Sequence, residues 1–204
     1  MIQGLFLFDV ADKSNPQTIL QETQQIISEL KSVGLNYNTY PISTTTIRGD
    51  MLSSEPTSNS IKTIQESYQL GHYDLASIGP QYSDNYKEVK RRNSQLHWHR
   101  APETRLFLNG GGCFGIFTGE WLGICLLTAG CSIQIPQETY HWFDYGNIDP
   151  KSPPEYDVVR FWKSSEVVKS SMEPHPATDV GNPVEWIHPF PNYDTLKKML
   201  SLNS

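Results

Sequence analysis

Between residues 97 and 162 the chain alternates short apolar stretches with turn residues, and this texture constrains the fold more than any other feature. Strands are expected at 103–108, 113–117, 121–127, 132–136, 140–144 and 158–162. Gly110-Gly111-Gly112 reads as the turn of a hairpin joining the first two, and Thr118-Gly119 as the next turn. Several short strands at this spacing point to an all-β sandwich or barrel.

The residues before this region look mixed α/β. Asn15-Pro16 resembles a helix start, and Ile19, Leu20, Ile26, Ile27, Leu30 and Val33 recur on one helical face. Gly34 stands where a helix end calls for a left-handed residue. A strand over 35–40, a loop over 41–60, a helix over 60–70, a strand over 73–78 and a helix over 84–92 follow. Past residue 172 the prolines Pro174, Pro176, Pro183, Pro189 and Pro191 predict an extended tail lying on the body, with a short helix at 195–202. The expected organisation is one domain over 1–172, with an α/β portion at 1–94 and a β-sandwich at 95–172, then a tail at 173–204.

A chain of 204 residues suits this plan. Its net charge of −6 argues against a nucleic-acid-binding surface, which needs clustered Lys and Arg. The one dense basic patch, Lys87, Lys90, Arg91 and Arg92, has Glu88 inside it and reads as a solvated helix face. No apolar run approaches the ~20 residues that span a bilayer. The opening residues lack the basic leader of a signal peptide, so residues 5–8 read as a strand and the cytoplasm as the location. Cys113, Cys125 and Cys131 are odd in number and irregular in spacing, which favours buried free thiols over a disulfide framework.

The chemistry is concentrated in His97-Trp98-His99-Arg100-Ala101-Pro102-Glu103. On a strand, His97 and His99 project to one face. A bend at Pro102 lets Glu103 return to the same pocket. Two imidazoles and a carboxylate suit Fe(II), Ni(II), Mn(II) or Zn(II). His141, in the aromatic run Tyr140-His141-Trp142-Phe143, would complete a four-ligand set if its strand folds across the first. A His-x-His pair alone is more often a pair of core residues, so the wider pattern has to carry the assignment.

That pattern resembles the two cupin motifs. Glu103 is followed by six residues and Gly110; Gly130 is followed by five residues and Pro136, with His141 five positions on. Arg91, Glu138 and Tyr145 stand where the superfamily often has Gly, Gly and Asn. The segments His97-Trp-His-Arg-Ala-Pro-Glu-Thr-Arg-Leu-Phe, Tyr140-His-Trp-Phe-Asp-Tyr-Gly146 and Val159-Arg-Phe161, with the element order before them, resemble acireductone dioxygenase over residues 1–170. The C-terminal tail finds no match there.

The resemblance implies a mainly β chain with helices, a cupin double-stranded β-helix (jelly roll) preceded by a mixed α/β portion. It implies one Fe(II) or Ni(II) ion per chain, held by His97, His99, Glu103 and His141 with two positions left open. It further implies an enediol ketone substrate from methionine salvage that reacts with O₂, and a monomer. In this family iron yields a keto acid and formate, whereas nickel yields a carboxylic acid, formate and carbon monoxide.

Arg105 lies two after Glu103 on the same strand face, matching a family Arg implicated in catalysis. An inward Arg on an apolar strand needs an anionic partner. Phe143 shares the face of His141 and is a candidate substrate contact, although core packing explains it slightly better. Trp98 and Trp142 should point away as packing residues, and His72, His175 and His188 are assigned no role. Leu106 and the stretch 164–168, ending at Val168, lack aromatics that the family tends to have, which implies a reshaped pocket. Residues 147–155 form an insertion. The alternatives are a metal-binding cupin that only holds a ligand, and a cupin oxygenase or isomerase with another substrate.

Overall fold

The computed structural model describes residues 3–43, 51–78, 86–146, 155–165 and 173–202. The elements in chain order are β1 (Gly4–Leu7), β2 (Thr18–Leu20), α1 (Thr23–Ser32), β3 (Asn36–Thr39), α2 (Thr57–Tyr68), β4 (His72–Ile78) and α3 (Tyr86–Asn93). Then come β5 (His97–Trp98), β6 (Glu103–Asn109), β7 (Gly111–Phe117), β8 (Leu122–Thr128), β9 (Cys131–Ile135), β10 (Tyr140–Asp144) and β11 (Tyr156–Trp162). The C-terminal part supplies β12 (His175–Pro176), a 3₁₀ turn (Thr178–Val180), α4 (Pro183–Ile187) and α5 (Tyr193–Leu202).

The strands form two antiparallel sheets, ordered β12-β5-β10-β7-β8-β1-β2 and β3-β9-β6-β11-β4. Both sheets are covered on both faces, so alternate residues of one strand feed different cores. Leu5, Phe107, Phe114, Cys125, Leu127, Ile133, Phe143 and Val158 fill the space between the sheets with Ile26 and Leu30 of α1. Phe6, Ile124, Leu126 and Trp142 face outward onto Tyr193, Leu196 and Leu200 of the C-terminal segment. Leu106, Leu108, Val159 and Phe161 face outward onto Ile61 and Ile64 of α2. Double coverage explains why β7 is buried along its whole length.

Several expectations change. Residues 103–109 and 111–117 are not a hairpin: β6 pairs with β9 and β11, whereas β7 pairs with β8 and β10 in the other sheet. The chain crosses between sheets at Gly110, whose φ is 63° and where an added Cβ would lie 2.0 Å from the Glu155 carbonyl oxygen. Only glycine accepts both constraints. The helix read from residue 16 begins instead at Thr23, because Thr18–Leu20 pair with β1 in the register Leu5↔Leu20. Gly34 ends α1 as expected, at φ 81°, with the Leu35 amide bonded to the Leu30 carbonyl.

The N-terminal strands extend both sheets: β1 and β2 join the first and β3 and β4 the second. The reading of 41–60 as a loop is cut short by α2, which starts at Thr57; residues 44–50 lie outside those described, as do 79–85. The basic patch is only partly solvated: Arg91 pairs with Glu88 at the surface, but Lys90 Nζ lies 2.9 Å from Asp144 Oδ1 in a mostly buried pair. All three cysteines are buried and free, as predicted. No helix among the described residues is long and apolar enough to cross a membrane.

The stretch after 172 is more than an extended tail. It adds β12 to a sheet edge and seats Leu196 and Leu200 at 0% and 3% exposure. Truncating Leu196 to Ala should therefore destabilise the protein by about 2–5 kcal/mol. Chemical denaturation measures this; a change below about 0.5 kcal/mol would mean that α5 is not part of the folded body.

Candidate metal centre

The site starts from one pair in the sheet. β5 pairs with β10 in the register His141↔His97, which sets both imidazoles on the inner face. His99, two residues on, brings a third ring beside them. Ring centroids are 4.5 Å apart for His97 and His141, 5.0 Å for His97 and His99, and 5.1 Å for His99 and His141. One nitrogen from each ring lies within 4.8 Å of the other two. β6 carries Glu103 in from the opposite sheet, with Oε2 3.1 Å from His141 Nε2 and 3.2 Å from His99 Nε2.

The other ring nitrogens are all directed at backbone carbonyls. His97 Nδ1 lies 2.6 Å from the Gln95 oxygen, His141 Nδ1 2.8 Å from that of Thr139, and His99 Nδ1 3.4 Å from that of Glu173. A carbonyl only accepts, so each Nδ1 carries a hydrogen, which leaves Nε2 as the nitrogen of each ring that can serve a metal. Nε2 lone pairs facing a carboxylate oxygen at 3.1–3.2 Å need positive charge among them, which a proton on one ring or a metal ion supplies. Burial, reinforced by the neighbouring His141, depresses the His97 pKa from 6.5 to about 3. His97 is thus neutral near pH 7, the form that donates to a metal. The donor set fits a divalent transition metal.

Arg105 completes the cluster. Its Nη2 donates to Glu103 Oε1 at 2.9 Å, and the side chain is 13% exposed. Burial alone would raise the Glu103 carboxyl. The Arg105 guanidinium and the hydrogen bonds with His141 and His99 outweigh it, and hold the group well below the usual carboxylate range. Arg105 is thus an inward guanidinium whose anionic partner is itself at the site.

His97, His99, Glu103 and Arg105 open into a cavity of about 220 Å³. Ala76, Ile78, Val89, Phe107, Phe143 and Val158 give it apolar walls, so Phe143 sits where expected. Phe143 also packs at 4.7 Å from Phe114, consistent with a core role. Sequence reasoning missed Arg160, which lines the same cavity and donates twice to Asp74, at 2.8 and 2.6 Å. Its signal was present: Arg160 alternates with Val158 on one strand face, as Arg105 does with Phe107. Tyr156, buried at the cavity wall, was also unassigned.

Leu106 is corrected. It faces the α2 side with 0% exposure, so an aromatic missing there does not reshape the cavity directly. Residues 166–168, including Val168, and most of the insertion, 147–154, lie outside those described. Trp98 and Trp142 point away as predicted: Trp142 packs on Phe190 and Trp98 stacks on His175. Glu138, in place of a superfamily glycine, keeps the left-handed turn at φ 62°, and its amide donates to the His99 carbonyl at 2.8 Å. A non-glycine residue there costs about 1–2 kcal/mol.

The chain is 26% identical over 175 residues to an acireductone dioxygenase of Synechococcus sp. (strain CC9311), with 84% of each chain covered. It is 24% identical over 160 residues to that of Stenotrophomonas maltophilia (strain R551-3), covering 75% of this chain and 82% of the other. No protein-family model matches. Among solved structures, an acireductone dioxygenase from Bacillus anthracis, with a cadmium ion in its active centre, superposes with a TM-score of 0.66. That match covers 85% of this chain and 97% of the other at 18% identity.

The chain resembles the acireductone dioxygenases in sequence and carries their cupin fold. The two-sheet arrangement above is that fold, and the imidazole cluster lies in the barrel interior, between strands of both sheets. In an acireductone dioxygenase-like site His99→Ala removes one of the converging nitrogens. The variant should retain well under half of the roughly one equivalent of metal expected for a single-ion site, measured by elemental analysis after gel filtration. Full metal content would take His99 out of the site.

Proposed function

We propose that this chain is a metal-dependent dioxygenase that cleaves an acireductone, an enediol ketone of methionine salvage, with O₂. His97, His99, Glu103 and His141 hold one Fe(II) or Ni(II) ion. The carrying observation is the convergence of three imidazoles and the Glu103 carboxylate beside an inward Arg105, at the wall of one cavity that His97, His99, Glu103 and Arg105 line. Sequence similarity to acireductone dioxygenases along most of the chain supports the same reading. By the family resemblance the protein works as a monomer, and the metal it carries selects between the two product sets.

When bound, the ion supplies Lewis acidity and a template for two adjacent substrate oxygens. The protein contributes the rest. Arg105, fixed by its bond to Glu103, places a guanidinium where an enediol loses its protons, and so favours the anionic form. Arg160, fixed by Asp74, adds a second cation on the same wall. The apolar lining of Phe107, Phe143 and Val158 keeps water from the reacting carbons and strengthens those charges.

An oxygen electrode with a synthetic acireductone, on iron-loaded and nickel-loaded samples, tests the proposal. Substrate-dependent O₂ uptake is expected from both, with carbon monoxide released only by the nickel form. Metal-loaded protein that consumes no O₂ would be a metal-binding module instead. Arg105→Gln should lower kcat by about 10²–10³-fold, the scale set by loss of one preorganised donor. If kcat is unchanged at normal metal content, Arg105 only anchors Glu103.

A further inference from the structure

The ligand-bearing strand β5 is two residues long, and its only residue pair with β10 is His97↔His141. Its other edge is closed by the C-terminal segment. β12 pairs with it in the register His175↔Trp98 and Pro176↔His97. Next to that pair, at Leu96, the Ala177 amide donates to the Leu96 carbonyl at 3.1 Å, and the Leu96 amide to the Pro183 carbonyl at 3.3 Å. The His175 ring stacks on Trp98 at 4.4 Å and 20°, and Tyr140, next to His141, donates its hydroxyl to Asp179. Pro174 reaches the cavity wall.

The hydrogen-bond partners of the three imidazoles differ in one respect. His97 and His141 each use the carbonyl two residues before them, so their orientation is set locally. The carbonyl beside His99 Nδ1 belongs to Glu173, 74 residues later in the chain. The tautomer and tilt of that ring thus depend on where the C-terminal segment lies.

We propose that residues 173–183 are a positioning element of the metal centre: they hold β5 in place and orient His99 through the Glu173 carbonyl. The inference rests on His99 being a ligand. It assigns a role at the site to a part of the chain that lies past the acireductone dioxygenase resemblance. Partners of this kind, behind a ligand, typically change metal affinity by 10–100-fold when lost.

The test compares wild type, His175→Ala, His175→Phe, Ala177→Pro and Tyr140→Phe, each loaded with Co(II). The readouts are the rate of Co(II) loss to excess chelator, the Co(II) visible spectrum, and thermal unfolding of the metal-free protein. His175→Ala and Ala177→Pro should lose metal about tenfold faster than wild type, with an altered spectrum and a metal-free unfolding midpoint close to wild type. His175→Phe, which keeps a stacking ring on Trp98, should restore the wild-type rate. If either variant does not fold, Tyr140→Phe carries the test, since it removes only one hydroxyl and should also speed metal loss. Folded variants that all release Co(II) at the wild-type rate with an unchanged spectrum would overturn the proposal. Wild-type protein that takes up no Co(II) would remove the ligand assignment itself, and this inference with it.

Discussion

The register between β5 and β10 is the constraint on which the site depends. Setting His141 directly opposite His97 fixes two imidazoles 4.5 Å apart on the inner face. The side-chain period of a strand is two, so a slip of one residue would turn Trp98 and Trp142 inward and the histidines out. The aromatic packing of Trp142 on Phe190 and Trp186, and the stack of Trp98 on His175, oppose that slip from the far face. Hydrophobic packing on one side of the sheet thereby sets a polar constellation on the other.

Each charge at the site is placed by a second one. Glu103 stays ionised despite burial because Arg105 and the imidazoles surround it, and Arg105 is tolerated in the interior because Glu103 answers it. Arg160 and Asp74 repeat the arrangement nearby. Removing one member of the Glu103–Arg105 pair leaves the other buried and uncompensated. The cavity is therefore preorganised, with Arg105 and Arg160 on its wall beside Glu103 and the imidazoles.

Much of this was legible in the residues themselves. The strands read at 140–144 and 103–108 follow from the local residue pattern, and the inward face of Arg105 and Phe143 from counting in twos. Three other features were not. Arg160 alternates with Val158 as Arg105 does with Phe107, but only the folded sheets show that this face lines the cavity. The crossover at Gly110 looked like a hairpin because a glycine run permits both, and only the partner strands distinguish them. Leu106 looked like a pocket residue by adjacency to Arg105, yet adjacent strand residues face opposite cores.

By itself the sequence determined the candidate donor types, their local spacing and the strand periodicity, because these depend on residues within a few positions of each other. Only the tertiary structure decided that β1 to β4 belong to the two sheets, that Lys90 is buried against Asp144, and that the C-terminal segment closes the edge of β5. Those facts rest on pairings between segments tens of residues apart. Backbone hydrogen bonds and apolar burial make such pairings, and neither leaves a local signature in the chain.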